Sequence, residues 1–218
     1  MPLITPDAAS ADTKLHVLHD HYKETFGHIR ERERQRDRLF FIVVALITLL
    51  FIEIVYPRNL HTLLNTTQFQ GFDITITALP IHVIVSATWT VLAAVVIRFY
   101  QSVAHIERQY EYLHELEETG LAPAFSGDAH TKIYRREGYH YLKTRARFSD
   151  WVWVFYSFGF PLAILVGSGS VFLIEADRTP PLTYHLIYDF VLAASVWSTV
   201  IIYQYARYQD RQKQHKDS

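Results

Sequence analysis

Four long apolar stretches alternate with polar ones along the 218 residues. The first, 39–56 (LFFIVVALITLLFIEIVY), is broken only by Glu53 and is closed by Pro57, which cannot comfortably continue a helix. The second, 79–100, carries Pro80 in its first turn, where the missing N–H costs little. The third covers 151–174 and the fourth 182–205. About 20 apolar residues at about 1.5 Å rise match a hydrocarbon layer roughly 30 Å thick, so each stretch is long enough to span. The connections 58–78 and 175–181 are short, which makes consecutive helices antiparallel neighbours. The expected fold is an all-α integral membrane protein with four transmembrane helices and cytoplasmic helical extensions. It divides into an amphipathic tail helix (1–38), hairpin 1 (39–100), a helical loop (101–150), hairpin 2 (151–205) and a short tail (206–218).

The polar segments have a pattern of their own. Leu15, Leu18, Tyr22, Phe26 and Ile29 recur at three- and four-residue steps, giving one apolar stripe on a helix that runs toward span one. Val103, Ile106, Tyr110, Leu113 and Leu116 repeat that stripe after span two. Acidic residues Glu107, Glu111, Glu115, Glu117 and Glu118 gather on the second helix, and Arg30, Arg32, Arg34, Arg36 and Arg38 end the first. Apolar stripes with opposite charge bias suit the two helices to pack on each other. The segment GLAPAFSGDAH that follows is a turn-rich break, and Ser149 or Asp150 offers an N-cap for span three.

Charge then orients the chain. Nineteen of the 21 Lys and Arg residues fall in the two tails, the 101–149 loop and the inner end of span two; the exceptions are Arg58 and Arg178. The positive-inside rule reads the rich side as cytoplasmic, so both termini are expected inside. The first 38 residues contain no apolar h-region, so the first span is expected to direct insertion itself. A formal net charge of -1 conceals this segregation. The absence of cysteine excludes disulfides, Fe–S clusters, thiolate zinc sites and cysteine nucleophiles.

The most informative chemistry is the set of ionisable residues inside the spans: Glu53, His82, His185 and Asp189. Each lies within about two turns of the outer end of its span, and His185 and Asp189, four apart, share a helix face. Charges at such depth cost on the order of 2–4 kcal/mol unless paired or wetted. One reading is a proton- or cation-responsive cluster in an outer vestibule. The other is interhelical hydrogen bonding with snorkelling, which fits all but the deepest residue, Asp189.

Span three contains FGFPLAILVGSGS. Gly159, Pro161, Gly167 and Gly169 form a candidate hinge there, against the alternative of ordinary small-residue packing. Twelve histidines include His16, His19, His21 and His28 in the tail, but they diverge around a helix and no HExxH motif exists, so no metal site and no cofactor are expected. No GxSxG, Walker A, GxGxxG or kinase signature is present, and the chain is not expected to be an enzyme. Asn65-Thr66-Thr67 is a formal glycosylation sequon that matters only in a secretory pathway. The basic segments 30–38 and 132–147 face anionic headgroups, worth about 1 kcal/mol per residue. Nucleic acid is not an expected partner, despite Tyr134, Tyr139 and Tyr141 among the arginines and lysines.

The stretch HDHYKETFGHIRERERQRDRLFFIVVALITLL resembles the start of small prokaryotic membrane effectors of the SLATT kind, in which a charged helix leads directly into the first span. The similarity covers about 45 residues. It implies a pore-forming role in antiviral or stress responses. Four spans depart from the two-span layout of those families, so no functional residue carries over. The function expected is an oligomeric bacterial inner-membrane protein, a channel-like effector or sensor that couples a cytoplasmic helical region to the bundle. Its expected partners are the lipid bilayer, further copies of itself and a cytoplasmic protein held by the tail and the 101–150 loop. The alternative is a non-conducting scaffold that recruits such a protein.

Overall fold

The computed structural model describes residues 6–56, 80–117, 151, 154–180 and 183–216. Their order is helix α1 (Pro6–Val55), helix α2 (Ile81–Glu115), a π-helical turn (Phe155–Gly159) that opens helix α3 (Phe160–Arg178), and helix α4 (Tyr184–Lys216). Among the described residues there is no strand, and four helices are long and apolar enough to cross a membrane. The all-α expectation therefore holds. The connection 58–78, the turn-rich break, the N-cap at Ser149 or Asp150, the sequon and the basic segment 132–147 lie outside the described residues.

The helices overrun the apolar stretches that announce them. α1 is one helix of 50 residues through the charged tail and the first span, and α2 continues past Tyr100 to Glu115. Hydropathy marks where hydrocarbon ends, not where a helix does. Pro80 stands just ahead of Ile81, and its carbonyl accepts the Val83 N–H at 2.9 Å, so the first turn starts on a residue that has no N–H to lose.

The chain divides into two compact units, and both α1 and α2 contribute to each. In the first unit (1–36 and 102–153), Ile29, Ile106 and Leu113 form a buried cluster flanked by Tyr22, Phe26 and Tyr110. The Tyr22 hydroxyl donates to Glu117 at 2.8 Å, and the Tyr110 hydroxyl to Glu33 at 3.2 Å. Of the remaining stripe residues, Leu116 is buried, Leu18 and Val103 are half-buried, and the side chain of Leu15 lies outside the description.

The second unit (37–101 and 154–218) holds the four apolar segments. Its interior contains Val43, Leu50, Trp89, Leu92, Val96, Ile164, Val171, Val196 and Val200, together with Glu53, Ser168, Glu175 and Asp189. Its exterior exposes Phe41, Val44, Phe51, Val91, Leu162, Val166, Leu173, Phe190, Val191, Ile201 and Ile202. Carboxyls inside and bulky apolar side chains outside invert the arrangement that water requires, and suit a bundle whose outer solvent is hydrocarbon.

Pro161 explains the opening of α3. It cannot donate to the Ser157 carbonyl four residues back, and its ring crowds that carbonyl. The backbone widens into the π turn, where the Phe160 N–H bonds to the Phe155 carbonyl instead. The Ser157 carbonyl accepts the Gln204 side-chain amide from α4 at 2.8 Å. Replacing Gln204 by leucine should therefore strand a buried acceptor and cost about 1–3 kcal/mol. Restoring the N–H with Pro161→Ala should recover part of that loss, read as the thermal midpoint in detergent. Purely additive effects of the two changes would break this account.

Candidate functional site

Four helix ends build the site. Glu53 stands in the last turn of α1, with Ser86, Thr88 and Trp89 early in α2, Glu175 in the last turn of α3 and His185 and Asp189 in the first two turns of α4. Antiparallel succession of the spans puts those ends together.

Each carboxyl takes one neutral donor. The Thr88 hydroxyl donates to Glu53 Oε1 at 3.0 Å, the Trp89 indole N–H to Glu175 Oε2 at 3.1 Å, and the Ser86 hydroxyl to Asp189 Oδ2 at 3.0 Å. Glu53, Glu175 and Asp189 are 2%, 6% and 0% exposed, so water does not supply the remaining donors in bulk. The donors Ser86, Thr88 and Trp89 fall within one turn of α2, which gathers the three carboxyls along that part of the helix. Arg178, one turn beyond Glu175, gives its guanidinium to the Ile54 carbonyl and so ties the end of α3 to α1.

The two histidines form the rim. His82 and His185 stack with ring centroids 4.7 Å apart and an interplanar angle of 19°. His82 is exposed, His185 is half-buried and Asp189 is fully buried, which grades the site from surface to interior.

The structure thus brings together all four residues singled out from the sequence and adds Glu175, which the sequence reading left in the 175–181 connection. Helix α3 continues to Arg178, placing Glu175 on the buried face of Ile164, Ser168 and Val171. The spacing of those residues, 164, 168, 171 and 175, was a legible signal.

The candidate hinge residues stand in different settings. A Cβ on Gly167 would meet Ile47 Cγ2 at 3.1 Å, which makes this glycine a close-packing position against α1, whereas one on Gly169 would meet nothing within 4 Å. Gly159 ends the π turn, and Pro161 lies in the first turn of α3. Among the described residues, no three His, Asp or Glu side chains are placed to hold a metal ion.

Fold and site together define the class: an all-α chain with four membrane-length apolar helices, compatible with a multi-pass membrane protein, and with a carboxyl cluster in its interior. No family model matches the sequence, and no curated protein or solved structure matches it.

Proposed function

We propose that this chain is an oligomeric inner-membrane protein of bacteria, a channel-like effector or sensor whose cytoplasmic helical unit controls the state of its membrane bundle. The observation that carries the reading is the sealed set of Glu53, Glu175 and Asp189 inside a unit whose exterior is apolar. Buried polar groups of this kind weaken a bundle unless they are used, because hydrophobic packing supplies the same contacts without desolvation. Coupling is supported by α1 and α2, each of which contributes to both compact units. Four helices rarely enclose a pore, so conduction calls for several protomers.

Purified protein in planar bilayers should conduct ions. A silent bilayer from well-folded protein would favour the non-conducting scaffold. Orientation follows from the charge asymmetry, with both termini cytoplasmic. Reporter fusions after Leu64 and Arg178 should report the outside, and those after Gly127 and Ser218 the cytoplasm; an external signal at Gly127 would overturn this topology.

A further inference from the structure

The carboxyl cluster contains an accounting problem in hydrogen bonds. Glu53 Oε2 and Asp189 Oδ1 are buried and have no donor, although their residues are 2% and 0% exposed. Among the described residues, no Lys or Arg forms an ion pair with Glu53, Glu175 or Asp189. An ionised carboxylate is an acceptor only, so the Glu175 and Asp189 carboxyls, gathered by Trp89 and Ser86 within one turn of α2, can bond to each other only when one of them holds a proton. Three uncompensated negative charges in an apolar bundle would repel one another and forfeit their hydration. Among the described residues no cation is paired with these carboxyls.

A proton is the cation that fits. Among the described residues there is no metal-ligating trio, and a proton needs neither a cavity nor a coordination shell. A route from the surface is also present. The exposed His82 ring stacks on the half-buried His185 ring, and His185 precedes Asp189 by one turn of α4. An imidazole takes a proton on one ring nitrogen and releases one from the other, which suits it to relay.

We propose that the Glu175–Asp189 pair is a proton-binding site fed through the stacked His82 and His185, and that its occupancy sets the state of the bundle. Binding turns two facing carboxylates of total charge −2 into one O–H···O⁻ pair of charge −1; no electrons move and no other bond changes. The groups that face the pair are Glu53 from α1, His82 from α2 and His185 from α4, while Arg178 of α3 is engaged by the Ile54 carbonyl. Glu53, held by Thr88, biases the pair through its charge. The inference rests on the membrane-bundle reading but not on conduction.

Infrared difference spectroscopy on the full-length protein in liposomes, titrated with protons alone, tests it. The wild type should show the carbonyl stretch of a protonated carboxyl near neutral pH, fading as the pH rises. Glu175→Gln and Asp189→Asn should each abolish it, and Glu53→Gln should retain it at a shifted midpoint. His82→Ala, which removes the outer ring of the relay, should slow the response to a pH jump by about tenfold while the band still forms at equilibrium, whatever its midpoint. A wild type with no such band near neutral pH would overturn the site, as would a band that survives in both pair variants. An unchanged rate in His82→Ala would overturn the route. A titrating band in a protein that never conducts would sink the channel reading while leaving the proton site standing.

Discussion

Replacing Asp189 by asparagine is expected to remove most of the activity while leaving the protein in the membrane. Asparagine matches aspartate in volume and its carbonyl still accepts the Ser86 hydroxyl, while its amide has no carboxyl proton to take up or release. Packing and hydrogen bonding are therefore retained, and only the charge and the titration are lost. On the channel reading proposed above, conductance per membrane-inserted protein should fall by about tenfold or more, equivalent to about 1.4 kcal/mol, with abundance in the membrane fraction little changed. His185→Ala should reproduce part of the defect, because it removes the ring that precedes Asp189 on α4. Asp189→Leu differs in kind: it leaves the Ser86 hydroxyl without its carboxyl acceptor, and should reduce abundance as well. Wild-type conductance in the asparagine variant would reduce the cluster to packing. Loss of that variant from the membrane would make Asp189 a structural residue.

Much of this architecture was legible because the two signals that specify it are local. Apolar length gave the four spans, and residues 164, 168, 171 and 175 show that one buried helix face can also be read from spacing. Glu53, His82, His185 and Asp189 stood out as ionisable side chains within apolar runs, and helix order alone placed them at one end. Glu175 escaped because a hydropathy boundary was taken for a helix boundary, four residues before α3 stops at Arg178. Ser86, Thr88 and Trp89 escaped for a different reason. Hydroxyls on membrane helices commonly bond to their own backbone, as Thr90 and Thr199 do here; Thr88 shares its hydroxyl between the Ile84 carbonyl and Glu53, and only the approach of a second helix brings a carboxylate to Ser86 and Thr88. The Gln204 amide under Pro161 is likewise invisible locally, since the acceptor it satisfies lies 47 residues away.

The first compact unit should fail most sharply at Leu113. This side chain is 1% exposed within the cluster of Ile29 and Ile106, against the rings of Tyr22, Phe26 and Tyr110. An aspartate there forfeits the apolar contacts and buries a charge close to carboxylates already committed to Tyr22 and Tyr110, namely Glu117 and Glu33. The expected cost is about 3 kcal/mol or more. Leu113→Met keeps the volume and should cost less than about 1.5 kcal/mol. Leu18→Asp should be milder than Leu113→Asp, because Leu18 is only half-buried. Limited trypsinolysis reads the difference, since the arginines from Arg30 to Arg38 are cut only when this part of α1 opens. Where opening is fast relative to cleavage, about 3 kcal/mol raises the open population, and with it the cutting rate, by roughly a hundredfold. Unchanged cutting in Leu113→Asp would mean that the stripes of α1 and α2 do not hold each other. Rapid cutting together with lost conductance, in a variant whose carboxyl band still titrates, is the result expected of a cytoplasmic unit that controls the bundle.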